Sequence, residues 1–118
     1  MPLKSQVLSG NARLEQAAAG NTVISSAPTA DDSVRRLQKA LVATLNIKMP
    51  VSFPNGQNQE PDGIFGNETY QAVVAFQKMA FPKDARQWDG RVGKLTIAEM
   101  DKRLPARGTA EGPRSTVG

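Results

Sequence analysis

The feature that most restricts what this chain can fold into is an eight-residue pattern that occurs twice. Asp62-Gly63-Ile64-Phe65-Gly66-Asn67-Glu68-Thr69 recurs 27 residues on as Asp89-Gly90-Arg91-Val92-Gly93-Lys94-Leu95-Thr96. Both copies read Asp-Gly-x-apolar-Gly-x-x-Thr. Asp-Gly is turn chemistry: Gly reaches positive φ without a Cβ clash, and Asp can accept from backbone N–H groups just downstream. The apolar residue between the glycines, Phe65 or Val92, is expected to point inward and anchor the loop. The second Gly, or the residue after it, is placed to cap a helix with Thr in the first turn. The repetition predicts a duplicated loop–helix unit.

The surrounding sequence reads as helices. Val34, Leu37, Leu41, Val42 and Leu45 fall on one face at the 3.6-residue period, behind an Asp31-Asp32 start and ahead of Asn46, a left-handed terminator. A second helix is expected over about 68–80, with Tyr70, Val73, Val74, Phe76 and Met79 as its apolar members. Phe81-Pro82 ends it. A third, over 95–104, turns Ile97, Met100 and Leu104 inward. Asn11 to Gly20 reads as a short helix with a thin apolar face (Leu14, Ala17, Ala18), marginal alone and therefore expected to dock. Residues 1–10 are expected to be loose, 47–61 and 83–88 to be polar loops, and 105–118 to be disordered. Deleting 1–30 is expected to matter little to folding. The same helices hold a second echo: Val34-x-x-Leu37-Gln38-Lys39 matches Val73-x-x-Phe76-Gln77-Lys78. Each Gln either satisfies backbone groups of a loop without ladder partners, the preferred role, or faces a ligand.

Composition removes whole classes of chemistry. The 118 residues contain no Cys and no His, so Ser-His-Asp and Cys-His catalysis, thiol chemistry and the usual zinc sites are excluded. The net charge of +4 has no dense basic block, so nucleic acid is not an expected partner, though polyanionic surfaces such as cell wall suit it. No apolar run approaches the ~20 residues of a membrane span, and no Sec-type signal peptide is legible. Synthesis in the cytoplasm with delivery by another route is one expectation. Asn58-x-Glu60-x-Asp62-Gly63 imitates the start of a calcium loop, but Thr69 stands where Glu is needed and Pro61 interrupts it. Glu60 and Glu68 have no spacing that supports a glycosidase pair. Neither a cofactor nor a metal is expected.

In order, Val34-x-x-Leu37-Gln38-x-x-Leu41, the first Asp-Gly unit running into Ala72-Val73-x-x-Phe76-Gln77, and the second Asp-Gly unit resemble the peptidoglycan-binding domain family over about residues 31–104. The resemblance implies an all-α, compact three-helix bundle and non-catalytic attachment to bacterial cell wall, with 1–30 as a lead-in bearing the short helix and 105–118 as a tail. Asn46 stands where the family usually has Gly, and the 47–61 and 80–88 loops are longer than usual. The lead-in pattern Leu8-x-Gly10-Asn11-x-x-Leu14-x-x-Ala17-x-x-Gly20 resembles the N-termini of proteins encoded with contractile injection systems, which are phage-tail-like particles. That implies an alternative role as a structural adaptor that binds particle proteins.

On the wall-binding reading, peptidoglycan or muropeptide is expected in a groove formed by both Asp-Gly loops and the helix starts they create. The candidate ligand residues are Asp62, Gly63, Asn67, Trp88, Asp89 and Arg91. The two Asp residues serve either as turn stabilisers or as partners for a sugar hydroxyl or peptide amide. Trp88 is either a lid on the core or a sugar-stacking platform.

Overall fold

Helix formation follows the caps. The computed structural model describes residues 3–25, 30–56 and 59–104. The expected tail, residues 105–118, and Asn58 of the calcium-like stretch lie outside them. Among the described residues the secondary structure is all helical: α1 (Ala12–Ala18), α2 (Asp32–Leu45), α3 (Asn67–Ala80), α4 (Lys94–Lys102) and a short 3-10 turn, Ala85–Gln87. Asn11 caps α1 by accepting from the Leu14 N–H. Asp31 caps α2 through the Ser33 N–H and hydroxyl, and α2 ends on Asn46 at φ 54°, ψ 50°. α3 and α4 both start from a glycine N-cap of nearly identical geometry, Gly66 and Gly93, with no side-chain cap. Asn46 and the second glycines therefore stand where the sequence places them.

α2 packs on α3, α1 on α4, and α4 also meets α2 and α3. The core expected from periodicity (Leu37, Leu41, Val73, Phe76, Val92 and Met100) is fully inaccessible to solvent. Phe65 and Val92, the apolar residues between the paired glycines, are buried too. Tyr70 and Met79 depart from expectation, each 42% exposed. The inward face of α3 is Thr69, Ala72, Val73, Phe76 and Gln77. Two polar residues hold core-facing positions because the loops need them, and this turns the apolar face away from Tyr70 and Met79.

The segment before α2 is the larger correction. Residues 3–10 are not loose. Leu3, Leu8, Leu14, Ala17 and Ile24 are buried in the same cluster as the helices. The Glu15 carboxylate accepts from the N–H groups of Leu3 and Gly10 (2.8 and 3.1 Å). Asp101 accepts from Lys4 and Ser5 (2.9 and 2.7 Å). Arg36 donates to the Ser9 carbonyl (2.9 Å), and Arg13 pairs with Asp31 (2.8 Å). Farther along, Ile24 and Val92 exchange backbone hydrogen bonds of 3.0 and 2.9 Å as an isolated antiparallel bridge. The thin face of α1 thus docks on the helices, and its burial contradicts the expectation that 1–30 is dispensable for folding. The 47–61 loop is also anchored: Met49 and Phe53 are buried, and Glu68 accepts from Val51 and Ser52 (3.1 and 2.7 Å).

Candidate functional site

Backbone pairing reaches only part of each Asp-Gly loop, and a buried glutamine satisfies the turn itself. Gln38 Oε1 accepts from the Gly63 N–H (3.0 Å). Its Nε2 donates to Asp62 Oδ1 (3.0 Å), the Ile64 carbonyl (3.1 Å) and Thr69 Oγ1 (3.0 Å). Gln77 makes the same set: from Gly90 N–H (2.9 Å), to Asp89 Oδ1 (3.0 Å), the Arg91 carbonyl (2.9 Å) and Thr96 Oγ1 (3.1 Å). Asp62 and Asp89 each also accept from the N–H two residues on, both at 2.9 Å. Gly63 and Gly90 share φ +74°, a backbone conformation that favours glycine. Both glutamines are therefore structural clamps, as preferred on sequence grounds.

The neighbours of the two loops differ. A Cβ on Gly63 would lie 2.9 Å from the Asp31 nitrogen and 3.0 Å from its carbonyl oxygen, because the start of α2 covers that loop. A Cβ on Gly90 would instead run into the ring of half-exposed Tyr70.

A concavity of about 240 Å³ opens beside the second loop. Asp89, Arg91 and Gly93 line it with Lys94, Leu95 and Thr96 from the start of α4, Gln87 from the 3-10 turn, and Val23 from the segment before α2. Asp62, Gly63, Asn67 and Trp88 are not among these lining residues. Gly63 is buried, and Asn67 is exposed at the start of α3. Trp88 is half-buried. Its indole N–H donates to the Phe81 carbonyl (2.9 Å), and the Lys78 ammonium lies 5.5 Å from its ring centre. These contacts fit a lid on the loop.

Two cations stand together at the same place. Arg13, Arg36, Lys39, Arg86, Lys102 and Arg103 are held in ion pairs. Lys4, Lys48, Lys83, Arg91 and Lys94 have no side-chain partner among the described residues, and of these Arg91 and Lys94 line the concavity. They meet the N-terminal end of α4, whose first N–H groups no side chain caps and whose dipole favours an anion. Asp89 is the one carboxylate in the lining, and its Oδ1 is engaged by Gln77 and the Arg91 N–H. A second concavity, of about 500 Å³, is lined by Gln6, Val7, Asp32, Arg36 and Lys39, but its cations are already paired.

Of the residues expected from sequence, Asp89 and Arg91 line the concavity; Lys94, Leu95, Gln87 and Val23 line it too and were not among those expected. Lys94 and Leu95 occupy variable positions of the repeated pattern, where a cation and an exposed apolar residue at a helix start are a readable signal. Val23 carries no local signal, because only the bridge between Ile24 and Val92 brings it there.

No curated protein and no solved structure matches the chain. A family model described as "Putative peptidoglycan binding domain" matches residues 30–100, more than half of the sequence, and this span contains both glutamine clamps and the starts of both glycine-capped helices. The chain belongs to the peptidoglycan-binding domain family.

Proposed function

We propose that this chain is a non-catalytic module that attaches to bacterial cell-wall peptidoglycan, with the ligand seated in the concavity of the second Asp-Gly loop. The family match over residues 30–100 carries the function. Arg91 and Lys94, unpaired among the described residues and set at the uncapped start of α4, support the place. Asp89 and Arg91 face the ligand. Asp62, Gly63 and Trp88 hold loops in shape, and Asn67 stays at the exposed start of α3. A few hydrogen bonds of about 1 kcal/mol each give modest affinity, roughly millimolar to micromolar. A wall that offers many copies of its repeating unit makes such affinity useful.

In this reading the two loop–helix units are tandem copies, supported by their matching hydrogen bonds. α2, α3 and α4 are the three-helix module of residues 31–104, and residues 1–30 are a lead-in whose described part, 3–25, docks on it. The test is co-sedimentation of the full chain with purified sacculi, with assay of the supernatant for released muropeptides. Retention on sacculi without release is expected. A chain that stays in the supernatant overturns the assignment, and released fragments overturn its non-catalytic part.

A further inference from the structure

Val23 is the one residue of the concavity that lies outside residues 30–100. Its position is fixed on both sides. Next to it, Ile24 is fully buried and bridged to Val92. Val23 Cγ2 lies 3.6 Å from where a Cβ on Gly93 would stand, so its side chain rests against the N-cap of α4. Val23 nevertheless keeps 48% of its surface in water, and Leu95 keeps 54%. Two exposed branched alkyl side chains thus accompany Arg91 and Lys94. No aromatic ring lines this concavity, so it has no stacking face for a sugar. What it offers is alkyl surface beside a carboxylate-seeking pair of cations and free helix N–H groups.

We propose that the lead-in completes the ligand site. Val23 and Leu95 form its alkyl wall, Arg91 and Lys94 take a carboxylate, and the concavity binds the carboxy-terminal end of a stem peptide with a small alkyl side chain. The proposal rests on the wall-binding reading and names the part of the wall that is recognised.

The experiment is a titration of the isotope-labelled full chain, followed by backbone amide shifts. The probes are diacetyl-lysyl-D-alanyl-D-alanine, the same peptide as its C-terminal amide, and a trimer of N-acetylglucosamine. The free acid is expected to shift the amides of Val23, Arg91, Gly93 and Leu95. Masking its carboxylate should weaken binding by about tenfold, the loss expected for hydrogen bonds to a charged group. Val23→Ser should weaken it roughly threefold or more through lost alkyl contact. Val51→Ser, at a residue 71% exposed in another loop, should bind as the parent does. Four results would overturn the proposal: shifts confined to other amides, equal binding of acid and amide, the sugar trimer shifting the same residues, or parental affinity in Val23→Ser. If any of these occurs while sacculi still retain the chain, only this inference falls. If sacculi do not retain it either, the wall-binding reading falls as well.

Discussion

Replacing Gln77 with Leu should destabilise the fold by roughly 1–5 kcal/mol, although no apolar contact is lost. Gln77 is 1% exposed; its Oε1 accepts one hydrogen bond and the two hydrogens of its Nε2 are shared among three acceptors of one loop and the helix it starts. The buried Gly90 N–H has no second acceptor among the described residues, and leaving it unpaired costs about 1–3 kcal/mol. The Thr96 hydroxyl can turn to a carbonyl of its own helix, and Asp89 can rehydrate, so each of those bonds is worth only about 0.5–1.5 kcal/mol. Easier burial of an alkyl side chain offsets about 1 kcal/mol. For a domain near 100 residues the balance corresponds to a fall of roughly 4–20 °C in melting midpoint. Urea unfolding followed by circular dichroism measures it, and hydrogen exchange at the Gly90 amide locates it. Gln38 and Gln77 share no partner, so Gln38→Leu should add to Gln77→Leu within about 0.5 kcal/mol. A Gln77→Leu protein within about 0.5 kcal/mol of the parent would refute the clamp argument.

The two positive-φ glycines should respond differently to alanine. Gly63→Ala meets Asp31 backbone and should cost more than Gly90→Ala, whose obstacle is a movable ring; Tyr70→Leu should partly restore Gly90→Ala but not Gly63→Ala, read as melting midpoints. Leu14→Ala, in the lead-in, should cost about 2–5 kcal/mol, as Phe76→Ala should, since both side chains are fully buried in one cluster; an unchanged midpoint in Leu14→Ala would show that α1 does not share the core. Asp31 is held below its ordinary pKa by the Ser33 hydroxyl and N–H and by Arg13, Asp32 mainly by Arg36, and Glu99 by Lys102 and Arg103. A depressed carboxylate contributes stability that is complete above its unfolded pKa and lost as pH falls through its folded one. With no His or Cys, the midpoint should be flat from about pH 5 to 9 and fall below about pH 4; a step near pH 6.5 would contradict this.

The parts of the fold that local chemistry determines were legible in the sequence. Asp31, Asn46, Gly66 and Gly93 mark helix ends because caps act within a turn, and the 3.6-residue period located Leu37, Leu41, Phe76 and Met100. The paired Val-x-x-apolar-Gln pattern exposed the clamps. Contacts between residues distant in sequence were not legible. Ile24 meets Val92 through a single backbone bridge, and Lys4 and Ser5 meet Asp101 through backbone N–H groups that leave no side-chain pattern. Tyr70 and Met79 look inward on a helical wheel only if Thr69 and Gln77 are assumed to face water. At the site, the repeated pattern drew attention equally to both loops. What differs is the covering: the start of α2 lies over Gly63, while the second loop stays open beside Lys94 and Leu95.

The most direct test of the site is the binding of Arg91→Gln/Lys94→Gln to sacculi, compared with the parent chain. Neither side chain has a side-chain partner among the described residues, so the double variant should keep the parental melting midpoint. Losing two charge-assisted contacts should weaken retention by tenfold or more, about 1.4 kcal/mol at least. Parental retention by the folded double variant would contradict the account and move the ligand to another face of the domain.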